Sequence, residues 1–193
     1  MTHLRPAIVL IVLFTILTGL ILPLAFVAGA RAVAPGLAGG SLLTHGGVPV
    51  GSALIGQAFT QDKYFQGRPS ATTDTDPADS TKTVPSPYNA NNSGGSNLGA
   101  TSKALVDRVT ADVAKLGDSP VPGDSVTTSA SGLDPDISPE FAARQITRVA
   151  TARGLPEAQV AELVIRHTKE RLLGIIGEPR VNVLELNLAI DAP

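Results

Sequence analysis

The sequence predicts an α+β protein with one N-terminal transmembrane helix, followed by a small soluble domain of about three helices and a few strands. The first observation is an uncharged, largely apolar run over residues 6–30, which is long enough for a helix that spans a bilayer. The second is a set of three later stretches with apolar residues at helical spacing. The third is a set of short runs typical of strands at both ends of the soluble part. We expect residues 1–31 to form the anchor and residues 32–193 the soluble domain.

The composition excludes several classes of function. The 193 residues carry 15 Lys and Arg against 17 Asp and Glu, a formal charge of −2, whereas a nucleic-acid-binding domain is normally basic. The chain has no cysteine, which excludes disulfides, thiolate metal sites and a cysteine nucleophile. The three histidines, His3, His45 and His167, are too scattered to resemble a zinc site.

The apolar run at the N-terminus is bracketed by Arg5 and Arg31. Lipid offers the backbone no hydrogen bonds, so we expect a helix across the plasma membrane. The alternative is a cleaved signal peptide, because Ala28-Gly29-Ala30 has the small-x-small form of a cleavage site. The apolar core is longer than the 7–15 residues usual in signal peptides, which favours the retained anchor. A slight charge bias predicts a cytoplasmic N-terminus and a soluble domain outside the cell.

A β-hairpin is predicted directly after the anchor. Residues 41–45 and 48–55 have strand character, and Gly46-Gly47 between them can adopt the positive φ angles of a tight primed turn. Pro49 cannot donate a ladder hydrogen bond, so this strand lies at an edge. We interpret His45 as a solvated residue at the end of a strand.

A long polar loop is predicted over about residues 71–100. This stretch consists almost entirely of Ser, Thr, Asn, Asp, Pro, Gly and Ala, without helical or strand periodicity. Loops of this length are usually functional or disordered. Within it, the sequence SGGSNLG over residues 93–99 is either an anion-binding concavity of backbone N–H groups or, as we favour, a polar turn that leads into the next helix.

Three helices are predicted in the second half of the chain. The first begins at Thr101 or Ser102 and ends at Gly117. The second has Ser138-Pro139-Glu140 as its start and Gly154 as its end, which is the expected order of cap, first-turn proline and C-terminal glycine. The third begins near Pro156. Their proposed inward residues are Leu105, Val109, Val113 and Leu116; Phe141, Ile146 and Val149; and Val160, Leu163 and Val164.

The C-terminus has the alternation typical of a half-buried strand. Apolar residues alternate with Glu185, Asn187 and Ala189 between Leu184 and Ile190. Val181 and Val183 have the opposite phase, so we expect a bulge or a change of partner near Val183.

Catalytic motifs are missing from the sequence. It contains no P-loop, no G-x-S-x-G elbow, no H-E-x-x-H and no EF-hand loop. The pairs Asp74/Asp76 and Asp134/Asp136 lie beside prolines, and we interpret them as solvated turn carboxylates. We expect His167 to bond the last carbonyls of its helix. The residues favour an anchored accessory subunit, with an anchored extracellular binding domain as the alternative.

Six sequence blocks, in order behind one apolar helix, carry a family resemblance. The chain closely resembles the C subunit of the bacterial Kdp potassium-transporting P-type ATPase over nearly its whole length. The blocks are GSALIGQAF (51–59), YFQGRPSAT (64–72), YNANNSGGSNLG (88–99), SGLDPDISP (131–139), RVATARGL (148–155) and GEPRVNVLELNLAID (177–191).

The resemblance implies a non-catalytic, single-pass subunit of a high-affinity, ATP-driven potassium import complex. Its implied partners are a potassium-channel-like subunit, a P-type ATPase catalytic subunit, a small membrane subunit and the lipid bilayer. The D-K-T-G sequence that is phosphorylated in P-type ATPases is absent here, as is a T-V-G-Y-G-like filter. The resemblance further implies that the subunit assists assembly and acts as a catalytic chaperone that raises the ATP affinity of the hydrolytic subunit.

The resemblance also implies site residues. Gln145 corresponds to the glutamine proposed to contact ATP, which is shared with the hydrolytic subunit. The analogy with an ABC signature is incomplete, because Ser96 rather than glutamine follows Gly94-Gly95, and Gln145 follows Ala143-Arg144 inside a helix. From the residues alone, Gln145 lies at the edge of the buried face, where its amide either satisfies a backbone group or reaches a partner.

An alternative role is docking at the extracellular ion entrance without any nucleotide contact. For this role we predict a partner-docking loop shaped by Gly94, Gly95 and Asn97, and a rigid turn at Gly67-Arg68-Pro69. The Arg68 guanidinium either binds a partner carboxylate in bidentate fashion or pairs within its own domain.

Overall fold

A computed structural model describes residues 3–117 and 120–192. The predicted anchor and domain include residues 1, 2, 118, 119 and 193, which lie outside the described residues. The chain forms two compact units, Met1–Leu42 and Leu43–Pro193, and each is described by itself.

The first unit is dominated by one continuous apolar helix over Leu4–Val33, and it is the one helix of the described residues that is long and apolar enough to cross a membrane. It consists of α1 (Leu4–Ile16), a π-helical turn (Leu17–Ile21) and α2 (Leu22–Val33). Pro23 has no N–H to donate to the Gly19 carbonyl, four residues earlier. The π-helical turn lies where this helical hydrogen bond is missing. None of its residues is buried, as expected for a helix whose whole surface faces lipid.

A short helix, α3 (Pro35–Ala38), precedes the predicted hairpin. The hairpin is confirmed as β1 (Leu42–His45) and β2 (Val48–Ser52), so its second strand ends three residues before the predicted boundary. Gly46 and Gly47 have φ angles of 58° and 82°. These are the positive values that a two-residue primed turn requires.

The long polar segment contains a small hairpin that the sequence did not predict. β3 (Thr73–Thr75) pairs antiparallel with β4 (Thr83–Pro85), with Thr73 opposite Pro85. Its strands read TDT and TVP, so they have no alternation of apolar and polar residues that would reveal them.

The three predicted helices are confirmed as α4 (Lys103–Leu116), α5 (Pro139–Arg153) and α6 (Glu157–His167). Ser138 caps α5, because its Oγ accepts a hydrogen bond from the Phe141 backbone N–H at 3.0 Å. Gly154 ends α5 in the left-handed conformation, with φ 66°. The apolar stripe of α4 differs from the expectation, because no residue of this helix is buried.

The predicted C-terminal strand over residues 184–190 is wrong, because this segment is helix α7 (Val183–Asp191). Asn182 caps the N-terminus of α7, because its side-chain oxygen accepts a hydrogen bond from the Glu185 backbone N–H at 3.0 Å. Buried positions recur at helical rather than strand spacing, namely Val183, Leu184, Leu186, Asn187 and Ile190. The predicted bulge near Val183 is instead the junction between a strand and this helix.

A three-stranded antiparallel sheet lies beside these helices. The short strands are β5 (Asp136–Ile137), β6 (Thr168–Lys169) and β7 (Arg180–Asn182), with β7 in the centre. A single 3-10 turn, Gly123–Ser125, precedes β5. The largest fully buried side chains of the core belong to Phe65, Leu186, Val149, Val160 and Val181. The α+β class is thereby confirmed.

Candidate functional site

Two side-chain amides from different helices hold one extended segment, Phe65 and Gln66. Asn187 of α7 accepts the Phe65 N–H at 2.8 Å and donates to the Phe65 carbonyl at 2.9 Å. Gln145 of α5 accepts the Gln66 N–H at 2.8 Å and donates to the Gln66 carbonyl at 3.0 Å. Each amide thus replaces a neighbouring strand, and we call the arrangement the amide clamp. It satisfies four backbone groups, of which the two of Phe65 are buried and the two of Gln66 are partly buried.

The Gln145 amide is further held by Arg148, one turn later in α5. An Arg148 guanidinium nitrogen donates to the Gln145 Oε1 at 2.7 Å, and the same side chain donates to the carbonyls of Asp62 and Tyr64. Burial lowers the pKa of Arg148 from its usual value, and the nearby Asp62 carboxylate opposes this shift. Of the two possibilities for the Gln145 amide, the described domain shows the bond to backbone.

Arg68 pairs within its own domain. Its guanidinium donates to the Asp134 carboxylate at 2.9 Å and to the Thr127 hydroxyl at 3.4 Å. About a quarter of its side chain is exposed, at 23%. The described domain therefore shows the internal pair, and bidentate binding of a partner carboxylate stays a prediction.

Tyr88 lies between the turn at Gly67 and the Arg68–Asp134 pair. Its hydroxyl donates to the Arg68 carbonyl at 2.7 Å. Burial, together with a smaller contribution from the Asp134 charge, raises the pKa of Tyr88 to about 12, and the Arg68 charge opposes this shift.

This pKa predicts a loss of stability at alkaline pH. Between the unfolded pKa of about 10 and the folded pKa of about 12, the unfolded chain gives up the phenol proton while the folded chain keeps it. Stability therefore falls as pH rises through this window, by up to about 1 kcal/mol for each pH unit. Urea unfolding of the wild type and of Tyr88→Phe at several pH values above 9 should show the wild type losing stability relative to the variant. Parallel curves would contradict the assignment.

A cavity of 580 Å³ opens beside the amide clamp and is lined by residues of α4, α5 and the 58–70 segment. Gln145 and the cations Arg68, Lys115, Arg144 and Arg148 are among its lining residues. Arg144 donates to the carbonyls of Leu116 and Pro120, which ties the end of α4 to α5. Among the lining residues, Asp112 carries a carboxylate, so cationic side chains outnumber carboxylates in this cavity.

The glycine pair of the predicted docking loop packs against the 129–132 segment. The Gly94 N–H donates to the Ser131 carbonyl at 2.8 Å. A Cβ at Gly95 would lie 3.0 Å from the Ala130 carbonyl oxygen, so only glycine fits without a shift. Asn97 is exposed and has φ 53°, a left-handed conformation that asparagine tolerates well. The segment 93–99 contains no helix or strand and leads into α4 through a turn at residues 100–101, while its docking role stays a prediction.

The two carboxylate pairs have different environments. Asp76 accepts the Ala78 N–H within a turn, as expected. Asp74 is exposed, but it lies in strand β3 rather than in a turn, and its side chain accepts the Thr75 N–H. The interpretation of Asp134 and Asp136 as solvated turn residues is wrong, because Asp134 pairs with Arg68 and Asp136 pairs with Arg180 at 3.0 Å. Burial raises the pKa of Asp136, and bonds from Asn182 and the Arg180 charge oppose this shift.

His167 confirms its predicted role at a helix end. Its Nδ1 lies 2.9 Å from the Leu163 carbonyl oxygen, one turn back in α6. This contact satisfies one of the last carbonyls of α6, which is a structural role and not that of a general base.

Sequence reasoning missed Asn187 and Asn182 as structural residues. The sequence predicts Asn187 as a polar residue of a half-buried strand and assigns no role to Asn182. Both are buried, and the Asn182 amide donates to the Ala53 carbonyl at 2.9 Å and to Asp136. A polar residue inside an apolar helical stripe was the available signal for Asn187, and it is visible only when residues 183–191 are read as a helix.

One candidate membrane-spanning helix and a separate α+β domain with an amide-clamped core are compatible with the class of singly anchored membrane proteins. The family model described as "KdpC: K+-transporting ATPase, c chain" matches residues 4–192. The chain therefore belongs to the KdpC family and is a membrane-associated subunit of a potassium-transporting ATPase.

Curated relatives support this assignment along the whole chain. A potassium-transporting ATPase KdpC subunit from Rhodopseudomonas palustris (strain BisB18) is 63% identical, with 98% of each chain covered. Proteins of the same name from Bradyrhizobium sp. (strain BTAi1 / ATCC BAA-1182) and Methylobacterium nodulans are each 60% identical, over 97% and 98% of this chain and 96% of their own.

Proposed function

We propose that the chain is a non-catalytic, single-pass subunit that assists assembly of the potassium import complex by docking its α+β domain on another subunit. The observation that carries the proposal is the amide clamp. Gln145, the residue expected to reach a ligand, has both amide atoms bonded inside the domain. A domain whose polar groups preform one rigid surface suits docking, because little is left to order when a partner binds.

The proposed partners are the other Kdp subunits, namely a channel-like subunit, the hydrolytic P-type ATPase subunit and a small membrane subunit. We propose a cytoplasmic N-terminus and an extracellular domain, with docking near the ion entrance. Protease added to intact cells should then digest the C-terminal domain, and a protected domain would reverse the orientation.

The proposed contacts are Asn97, shaped by Gly94 and Gly95, and the exposed part of Arg68. Asn97→Gly removes the amide and keeps the positive φ available, so we expect a several-fold lower yield of this chain when the complex is purified through another subunit. Asn91→Gly, at an exposed position of the same segment, is the matched control. Unchanged stoichiometry in the Asn97 variant would contradict docking through this loop.

Arg68 needs a control for its internal partner. Arg68→Ala should lower co-purification several-fold, whereas Asp134→Asn should not, because it removes only the carboxylate that the guanidinium bonds at 2.9 Å. An equal loss in both variants would assign the effect to the fold of the domain instead of a partner contact.

A second candidate function is the effect on ATP affinity implied by the family resemblance, with Gln145 near the nucleotide. It requires the opposite orientation, with the domain in the cytoplasm, where ATP is available. One observation favours it. The cavity beside Gln145 contains Arg144, which donates to two carbonyls and has no carboxylate partner among the described residues. Because no carboxylate in the described part of the chain neutralises this guanidinium, its positive charge is available to attract a phosphate.

A matched pair of clamp variants tests this candidate. Gln145→Ala and Asn187→Ala each release one residue of the clamped segment, but only Gln145 lines the cavity. We expect Gln145→Ala to weaken ATP binding by the assembled complex at least several-fold more than Asn187→Ala, measured by equilibrium dialysis. Equal effects, or no saturable binding, would count against a nucleotide contact.

A further inference from the structure

The connection between β6 and β7 carries a group of aliphatic side chains at its tip. Leu172, Leu173, Ile175 and Ile176 are 65%, 82%, 78% and 55% exposed, respectively. We call Leu172–Ile176 the aliphatic tip. Single exposed leucines are ordinary, but several adjacent ones usually mark a surface that binds something apolar.

The backbone of the aliphatic tip forms hydrogen bonds within the turn. The N–H groups of Leu172 and Ile176 donate to each other's carbonyls at 2.9 and 3.0 Å, and the Gly174 N–H donates to the Arg171 carbonyl at 3.0 Å. The Ile175 N–H donates to the Leu172 carbonyl at 3.2 Å. Backbone groups left unbonded are costly in lipid, so a turn with these internal bonds can present its side chains to hydrocarbon.

Charged residues surround the base of the tip. Arg171 pairs with Glu178, Lys169 with Glu185 and Arg180 with Asp136. The side chains of Lys169 and Arg180 are 47% and 49% exposed, whereas their carboxylate partners are 26% and 24% exposed. In the third pair the order is reversed, because the Glu178 side chain is 77% exposed and that of Arg171 is 44% exposed. The surface around the tip therefore carries outward charges of both signs, and the aliphatic side chains are its distinguishing feature.

The segment that links the apolar helix to the second compact unit is short. The apolar helix ends at Val33 and the second compact unit begins at Leu43. The intervening residues span at most about 30 Å even when fully extended. A short tether of this kind gives the second contact a high effective concentration, so a few aliphatic side chains suffice where a free domain would need more.

We propose that the aliphatic tip inserts into the headgroup and acyl boundary of the bilayer that holds the chain's own helix. A protein partner is less well matched, because the tip carries none of the Trp or Tyr anchors that dominate protein interfaces. Insertion gives the domain a second point of membrane attachment and so restricts its orientation.

The absence of tryptophan from the chain allows a single-reporter test. Full-length Ile175→Trp is reconstituted in vesicles of phosphatidylcholine and phosphatidylglycerol whose acyl chains are plain or brominated. We expect the brominated lipid to remove about half or more of the emission, as for a residue at the acyl boundary. Val106→Trp, which replaces an exposed residue of α4, is the control and should be quenched at least several-fold less. Leu173→Trp repeats the measurement if the first variant misfolds.

Two outcomes would overturn the proposal. Equal quenching of the Ile175 and Val106 reporters removes any special role for the tip. A tip reporter that is shielded only when the other Kdp subunits are present makes it a protein interface. Because the vesicles hold no partner subunit, these results are independent of the co-purification experiments.

Discussion

Replacing Asn187 with alanine is expected to lower the free energy of unfolding by about 4 kcal/mol, because two buried backbone groups lose their partners at about 1–3 kcal/mol each. Asn187 is 2% exposed, and its amide bonds both the N–H and the carbonyl of Phe65. The Phe65 side chain is itself completely buried. Water therefore cannot replace the amide without opening the core.

Urea unfolding of the full chain in detergent micelles, followed by circular dichroism, measures this loss. Asn91→Ala is the matched control, since Asn91 is exposed, and we expect it to change stability by less than about 0.5 kcal/mol. Asn187→Leu keeps a similar side-chain volume but cannot form the two hydrogen bonds to the Phe65 backbone, so it should remain strongly destabilising. A leucine variant as stable as the wild type would contradict the amide clamp.

The helices were predictable because their signals are local. Ser138-Pro139 at the start of α5 and Gly154 at its end act through the first and last turns, whatever the rest of the chain does. The Gly46-Gly47 turn is local in the same sense. These features set boundaries that the tertiary structure keeps.

Helix α7 was not predictable from its pattern. Apolar residues at every second position from Leu184 to Ile190 fit a strand, and the same residues are apolar enough for a helix buried on most sides. Asn182 decides the outcome, because its side chain caps the helix and also bonds Ala53 and Asp136. Such contacts depend on distant parts of the chain.

The candidate site was predictable only where a side chain interrupts an apolar stripe. Phe141, Gln145 and Val149 are each separated by one helical turn, so Gln145 lies on the buried face of α5 rather than at the predicted edge, and it is 6% exposed. Its partner, Gln66, is 79 residues away, and no local pattern points to it. The same holds for Arg68 and Asp134, which are separated by 66 residues.

Gly67→Ala is expected to cost about 2–3 kcal/mol by overpacking, and Tyr88→Phe is expected to recover part of that loss. A Cβ at Gly67 would lie 2.2 Å from the Tyr88 hydroxyl oxygen but 3.2 Å from the ring carbon that bears it. Removing the oxygen opens the space. Tyr88→Phe alone should cost about 1 kcal/mol, because the hydroxyl donates to the Arg68 carbonyl at 2.7 Å.

The double variant distinguishes this contact from a general loosening of the turn. If the hydroxyl is the obstacle, Gly67→Ala with Tyr88→Phe is more stable than the sum of the two single changes by about 1 kcal/mol or more. Gly56→Ala is the matched control, since its Cβ would lie 2.4 Å from a Tyr88 ring carbon and 2.6 Å from the Asp134 carbonyl oxygen. Phenylalanine keeps that ring carbon, so Tyr88→Phe cannot rescue Gly56→Ala. Equal rescue at both glycines would mean that Tyr88 acts by loosening its whole surroundings.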